Sequence, residues 1–205
     1  MNHRVRGAVI VGALITTLTL ASCGGADSSA GSPQGGNAPA PAPSSQVSEE
    51  HNAADLQFAR DMIVHHEQAV EMAGLAETRA QNPEVKALAE EIRAAQQPEI
   101  DIMTGFLTAW GENPSQGGGM GGMDHSGMPG MMSQQQMRQF GQAQGVAFDR
   151  MFLQMMIDHH DGAIEMARGE QVDGQNPQAV ELAKQIEAAQ AAEVQRMQQQ
   201  LLQAG

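Results

Sequence analysis

From Asp55 to Ala73 the chain reads DLQFARDMIVHHEQAVEMA, and its apolar positions fall into two neighbouring stripes. Phe58, Met62, His65, Ala69, Met72 and Ala76 form one; Leu56, Ala59, Ile63, His66, Val70 and Ala73 run beside it. Steps of three and four are those of a helix with one wide buried face. From Asp149 to Ala167 the chain reads DRMFLQMMIDHHDGAIEMA and repeats both stripes, as Phe152, Met156, His159, Ala163, Met166 and as Leu153, Ile157, His160, Ile164, Ala167. The offset of 94 persists downstream, pairing QNP at 81–83 with QNP at 175–177, Gln96 with Gln190, Glu99 with Glu193 and Met103 with Met197. About fifty residues in register without an insertion mark a duplicated structural unit.

Punctuation between the stripes sets the elements. Ser48 before Glu49 and Glu50 has the chemistry of an N-cap with acids in the first turn, so a first helix is expected over 49–80. Asn82-Pro83-Glu84 opens a second helix running to about 110, with Pro98 expected to kink it. Residues 111–132 have no apolar period. Ser133 with Gln136 three residues on reads as a capping box, which starts a third helix at 134 running to about 172; Asn176-Pro177 opens a fourth that ends near 202. Two hairpins, 48–110 and 133–204, joined by the 111–132 linker, predict an all-α fold: one four-helix bundle over 48–204.

Composition supports the helices and adds an address. Five Phe, one Trp and no Tyr, in segments dominated by Ala, Gln, Glu, Leu and Met, leave little for a sheet. The N-terminus carries Arg4 and Arg6, then the apolar run AVIVGALITTLTLA, then Leu20-Ala21-Ser22-Cys23. That run is short for a membrane span and reads as an export signal, residues 1–22. Its Leu-Ala-Ser-Cys end resembles the lipobox of bacterial lipoproteins, which implies cleavage before Cys23 and lipidation of Cys23. This is the sole cysteine, so no intrachain disulfide forms. Residues 23–47, rich in Gly, Ser, Pro and Ala, would form a disordered tether. Without Arg4 and Arg6 nine basic residues face 24 acidic ones, a charge of about −15, which excludes nucleic acid as a partner and draws cations.

The candidate chemistry is that of soft-metal ligation. In the linker Met120, Met123, Met128, Met131 and Met132 surround His125 among Gly, Ser and Pro, where a methionine has no core to fill. Thioethers prefer Cu(I) or Ag(I), and imidazole also accepts Cu(II). In the helices Met62, His65, His66 and Met72 match Met156, His159, His160 and Met166, and pseudo-twofold packing would bring four imidazoles to one level. Hydrogen-bonded core histidines with methionine packing are the alternative at these positions. Asp55, Glu71, Asp149 and Glu165 also recur, and would either orient imidazole N–H groups or remain solvated helix charge. Catalytic patterns fail on spacing: three residues before each helical histidine stands Met62, Ile63, Met156 or Ile157, not the Glu of a di-iron bundle, and no nucleophile or phosphate loop is recognisable. A non-enzyme is expected.

The doubled Phe-x-x-x-Met-x-x-His-His-x-x-Ala-x-x-Met-Ala pattern resembles the bacterial family known as domain of unknown function 305. The resemblance spans both hairpins. It implies a ferritin-like four-helix bundle outside the cytoplasm, with copper bound in some members through Met and His; the matching positions are Met62, His65, His66, Met72, Met156, His159, His160 and Met166. Residues and resemblance together lead to an extracytoplasmic lipoprotein, held to a membrane by its N-terminal lipid, that sequesters or transfers Cu(I), Cu(II) or Ag(I). A copper exporter or oxidase is the expected class of partner. A metal-free interaction bundle is the competing reading, and a ferritin-like metal oxidase a weaker third.

Overall fold

A computed structural model describes residues 47–114 and 127–203. The signal segment 1–22, Cys23, all of the tether except Val47, and the linker residues Met120, Met123 and His125 lie outside the described residues. Helix α1 spans Ala53–Arg79, α2 Pro83–Ala109, α3 Gln134–Phe140, α4 Gly145–Asp173 and α5 Pro177–Gln203. The connections of three residues fold α1 onto α2 and α4 onto α5 as antiparallel hairpins, and α1 packs against α4 to join them. The expected all-α bundle of two duplicated hairpins is what forms, and among the described residues no helix is long and apolar enough to cross a membrane.

Asn82 caps α2 by accepting from Glu84 N at 2.9 Å, and Asn176 caps α5 by accepting from Gln178 N and Ala179 N at 3.0 Å. Ser133 and Gln136 form the expected reciprocal capping box at α3. α2 runs through Pro98 without a break.

Two expectations are corrected. α1 begins at Ala53, capped by Asn52, whose side chain accepts from Ala54 N and Asp55 N while Asp55 bonds back to Asn52 N. Ser48 is held elsewhere: its carbonyl accepts from Trp110 Nε1 and from Asn176 Nδ2, each at 3.0 Å. Those buried donors lie just past the end of α2 and just before the start of α5, so the chain ahead of α1 stays out of the helix to meet them. The third helix is also divided. Gly141 closes α3, and a tight link, with Gly145 at φ 61°, lets fully buried Phe140 turn back and stack on Phe148 at 4.7 Å.

The hairpins are locked reciprocally. Asp149 of α4 accepts from Gln81 N and Asn82 N, at 3.0 and 2.9 Å, in the turn between α1 and α2. Asp55 of α1 accepts from Gln175 N and Asn176 N, at 3.1 and 2.9 Å, in the turn between α4 and α5. Each copy of the repeat thus supplies the anion that satisfies the other's helix start.

Candidate metal centre

The buried apolar residues fall into two separate cores, at opposite ends of the bundle. One joins Phe58 and Met62 of α1 to Met103 of α2, Ala167 of α4 and Ile186 of α5. The other joins Met72 of α1 to Ile92 of α2, Met156 of α4 and Met197 of α5. Between them each long helix contributes polar residues: His65 and His66, Gln96 and Glu99, His159 and His160, Gln190 and Glu193. The four histidines are at most 1% exposed, so a polar layer crosses an otherwise apolar interior.

At its centre His65 and His159 stand ring against ring, with centroids 3.8 Å apart and planes tilted by 41°. His66 Nε2 lies 2.7 Å from Glu99 Oε2 and His160 Nε2 lies 2.6 Å from Glu193 Oε2. A carboxylate accepts, so both imidazoles donate from Nε2, which leaves Nδ1 as the nitrogen without a protein partner. His65 Nε2 likewise donates to the Pro129 carbonyl at 3.0 Å. The Nδ1 atoms of His65, His66 and His160 and both ring nitrogens of His159 are buried with no hydrogen-bond partner, as are the amide groups of Gln96 and Gln190. An unpaired buried polar group costs about 1–3 kcal/mol. A row of them, set between two well-packed apolar cores, is held at the expense of stability.

The electrostatics keep the central rings neutral. Burial, with His66 and His160 nearby and against the Pro129 hydrogen bond, pushes the His65 imidazole down to about 3. Burial, then His65, His160 and His66, hold His159 well below the ordinary histidine range. Neutral imidazoles with carboxylate or carbonyl partners on the far nitrogen are the usual form of metal-binding histidine.

The linker returns over this layer. Met132 N donates to Gln68 Oε1 at 2.7 Å and Gln68 Nε2 donates to Met132 O at 2.9 Å, a two-bond clamp buried in α1. Opposite, Gly162 of α4 leaves a notch for the Pro129 carbonyl, which any Cβ there would strike. Gly130, at φ 75°, lies so close to α4 that a Cβ would come within 2.9 Å of His159 O. Met132 is buried by this docking, while Met128 and Met131 stay half-buried beside it.

The predicted donors therefore divide. His65, His66, His159 and His160 come together. Met62 and Met156, fully buried and three residues before His65 and His159, lie roughly 4.5 Å along the helix axes from them, one in each core. Met72 and Met166 do not join the layer: they stand seven residues beyond the same histidines, roughly 10 Å along the axis. Met72 fills a core and Met166 lines a surface cleft with Phe58, Asp61 and Glu170. Asp55 and Asp149 are also corrected, since they cap the opposite hairpin and orient no imidazole. Glu71 and Glu165 are exposed. The carboxylates that do hold imidazoles, Glu99 and Glu193, were visible only as a matched pair in the repeat. Met103 and Met197, one turn beyond them and fully buried, carry the same signal.

Among the described residues no three His, Cys, Asp or Glu side chains converge tightly enough to hold an ion alone. The donor types gathered at this level, imidazole nitrogen and thioether, are the ones soft ions prefer.

The structure is similar to a DUF305 protein of Streptomyces coelicolor assigned as secreted, with 34% identity, TM-score 0.67, and 74% of this chain and 92% of that one covered. A DUF305 fragment from Deinococcus radiodurans matches at 30% identity and TM-score 0.67, over 74% of this chain and 97% of that one. CopM in its Cu(II)-bound form matches at 30% identity and TM-score 0.62, over 73% and 96%. CopM has also been solved with Cu(I) and with Ag. Among curated proteins no relative matches. The family model described as domain of unknown function (DUF305) covers residues 55–201, and the chain belongs to that family.

Proposed function

We propose that this protein captures Cu(I), with Ag(I) and Cu(II) as weaker or surrogate cargo, and holds it at the histidine layer for storage or transfer outside the cytoplasm. The observation that carries the reading is the set of buried, unpartnered Nδ1 atoms on four imidazoles, backed by Glu99 and Glu193 and flanked by Met62 and Met156. The likeness to CopM, solved with Cu(I), Cu(II) and Ag, supports the choice of ions. Met128, Met131 and Met132, with Met120, Met123 and His125 further along the linker, give exchangeable soft donors for first capture. The Leu-Ala-Ser-Cys23 sequence supports a lipid anchor, and the acidic charge supports attraction of cations. The role is carriage, not turnover: no acid, base or nucleophile stands in a catalytic arrangement in the sequence. An exporter or oxidase of copper is the partner class such a carrier serves.

The test is a Cu(I) and Ag(I) titration of the purified chain against a competing chelator. Changing His65, His66, His159 and His160 to Ala together should remove the tightest class of binding and leave the weaker linker class. Equal affinity in the two proteins would remove the layer from the reading.

A further inference from the structure

The two copies of the repeat differ where the linker lands on them. Position 68 in the first copy is Gln and its counterpart 162 in the second is Gly, with Ala69 and Ala163 matched immediately after. A symmetric pair of side chains would treat both flanks of the histidine layer alike. Gln68 instead clamps the Met132 backbone by two buried hydrogen bonds, and Gly162 admits the Pro129 carbonyl, so the chain between them crosses the layer in one direction.

We propose that residues 128–132 form a strap that limits passage of the ion between solvent and the histidine layer, and that Gln68 and Gly162 are the positioning residues that seat it. The inference rests on the histidine layer being the place where the ion is held. Three contacts set the strap over the ring pair: Pro129 O on His65 Nε2, Gly130 against the backbone of Asp158 and His159, and the Gln68 clamp. The rings beneath are at most 1% exposed, while Met128 and Met131 on the strap are half-buried. An ion leaving the layer therefore meets strap sulfur before water, and the clamp sets how often the layer opens. The strap also makes the pair unequal. His65 is pinned by the strap through Nε2, whereas no strap atom is hydrogen-bonded to His159.

The test has a metal-free arm and a metal arm, both on the whole purified chain. Carbethoxylation of His65 and His159, followed by peptide mass spectrometry, reads cover over the layer. Release of Ag(I) to an excess of chelator, followed by stopped flow, reads passage. Gln68→Ala removes the clamp and Gly162→Ala fills the notch; each should raise both rates at least tenfold. Gln68→Glu keeps the acceptor for Met132 N and loses the donor, and should fall between. A Gln136→Ala control, outside the strap, should leave both rates unchanged. Unchanged carbethoxylation in Gln68→Ala and Gly162→Ala overturns the proposal, as does unchanged Ag(I) release from a loaded layer. Absence of Ag(I) binding in every protein overturns the proposed function instead, while the carbethoxylation arm still decides whether the strap is the cover.

Discussion

His65 and His159 lie ring against ring, 3.8 Å between centroids, although a whole repeat separates them in the chain. The pair exists because α1 and α4 pack together with the duplicated histidines at one level, and neither ring has solvent to hydrate it.

A ligand bound only by the folded form stabilises it by about 2.7 kcal/mol at a hundredfold excess over Kd. For a chain of this size that is a rise of about 5–10 °C in melting temperature. Ag(I) should produce such a rise, and the double variant His65→Ala, His159→Ala should lose most of it while remaining helical. Calorimetry with and without Ag(I) checks this, and an equal rise in both proteins would contradict it.

Glu99→Leu and Glu193→Leu each leave a buried imidazole N–H without its acceptor. Each should weaken Cu(I) or Ag(I) binding about 10–100-fold, the usual effect of losing the carboxylate behind a ligating histidine. Glu99→Gln, which can still accept through its amide oxygen, should cost less. Competition titration separates the three.

The reciprocal caps predict the opposite pattern. Asp149→Ala strips two backbone N–H groups of their acceptor and should cost about 1–3 kcal/mol of stability, with metal affinity in the folded protein unchanged. Denaturant melts followed by titration of the folded form test both halves of that statement.

Glu170 supplies a pH dependence. Burial, then the neighbouring Asp55 carboxylate and Asp173, push its carboxyl up to about 8 from an ordinary 4.5. The folded protein keeps a proton there that the unfolded chain has already released, so this contribution is full below 4.5 and is lost as pH rises through about 8. His65 acts in the opposite sense: with its imidazole near 3 against an ordinary 6.5, it lowers stability as pH falls below 6.5. The Glu170 part is isolated by difference. Glu170→Gln should melt several degrees higher relative to wild type at about pH 8.5 than at about pH 5, and a constant difference across that range would refute the assignment.

The repeat and its punctuation made the long helices and the histidine layer legible, because helical spacing and caps such as Asn82, Ser133 and Asn176 are local properties. What was not legible depends on neighbours. Ser48 and Asn52 both suit a cap, and only the buried donors of Trp110 and Asn176 decide that Ser48 serves them. A helical period also says which face a carboxylate occupies, not which chain end it meets, so Asp55 and Asp149 went to backbone N–H groups and Glu99 and Glu193 to the imidazoles. Met72 and Met166 shared a stripe with the histidines, yet two turns of helix carry them out of reach.

The crossed aspartate bonds bear on how the two halves depend on each other. One hairpin alone owns a carboxylate with nothing to cap and a turn with nothing to cap it, and a second copy cures both defects at once. A single hairpin could meet both needs only by pairing with a second copy of itself, whereas two copies in one chain leave the halves at liberty to differ. With both copies in one chain, one flank carries a glutamine and the other a glycine, giving the molecule a front and a back that no symmetric dimer can have.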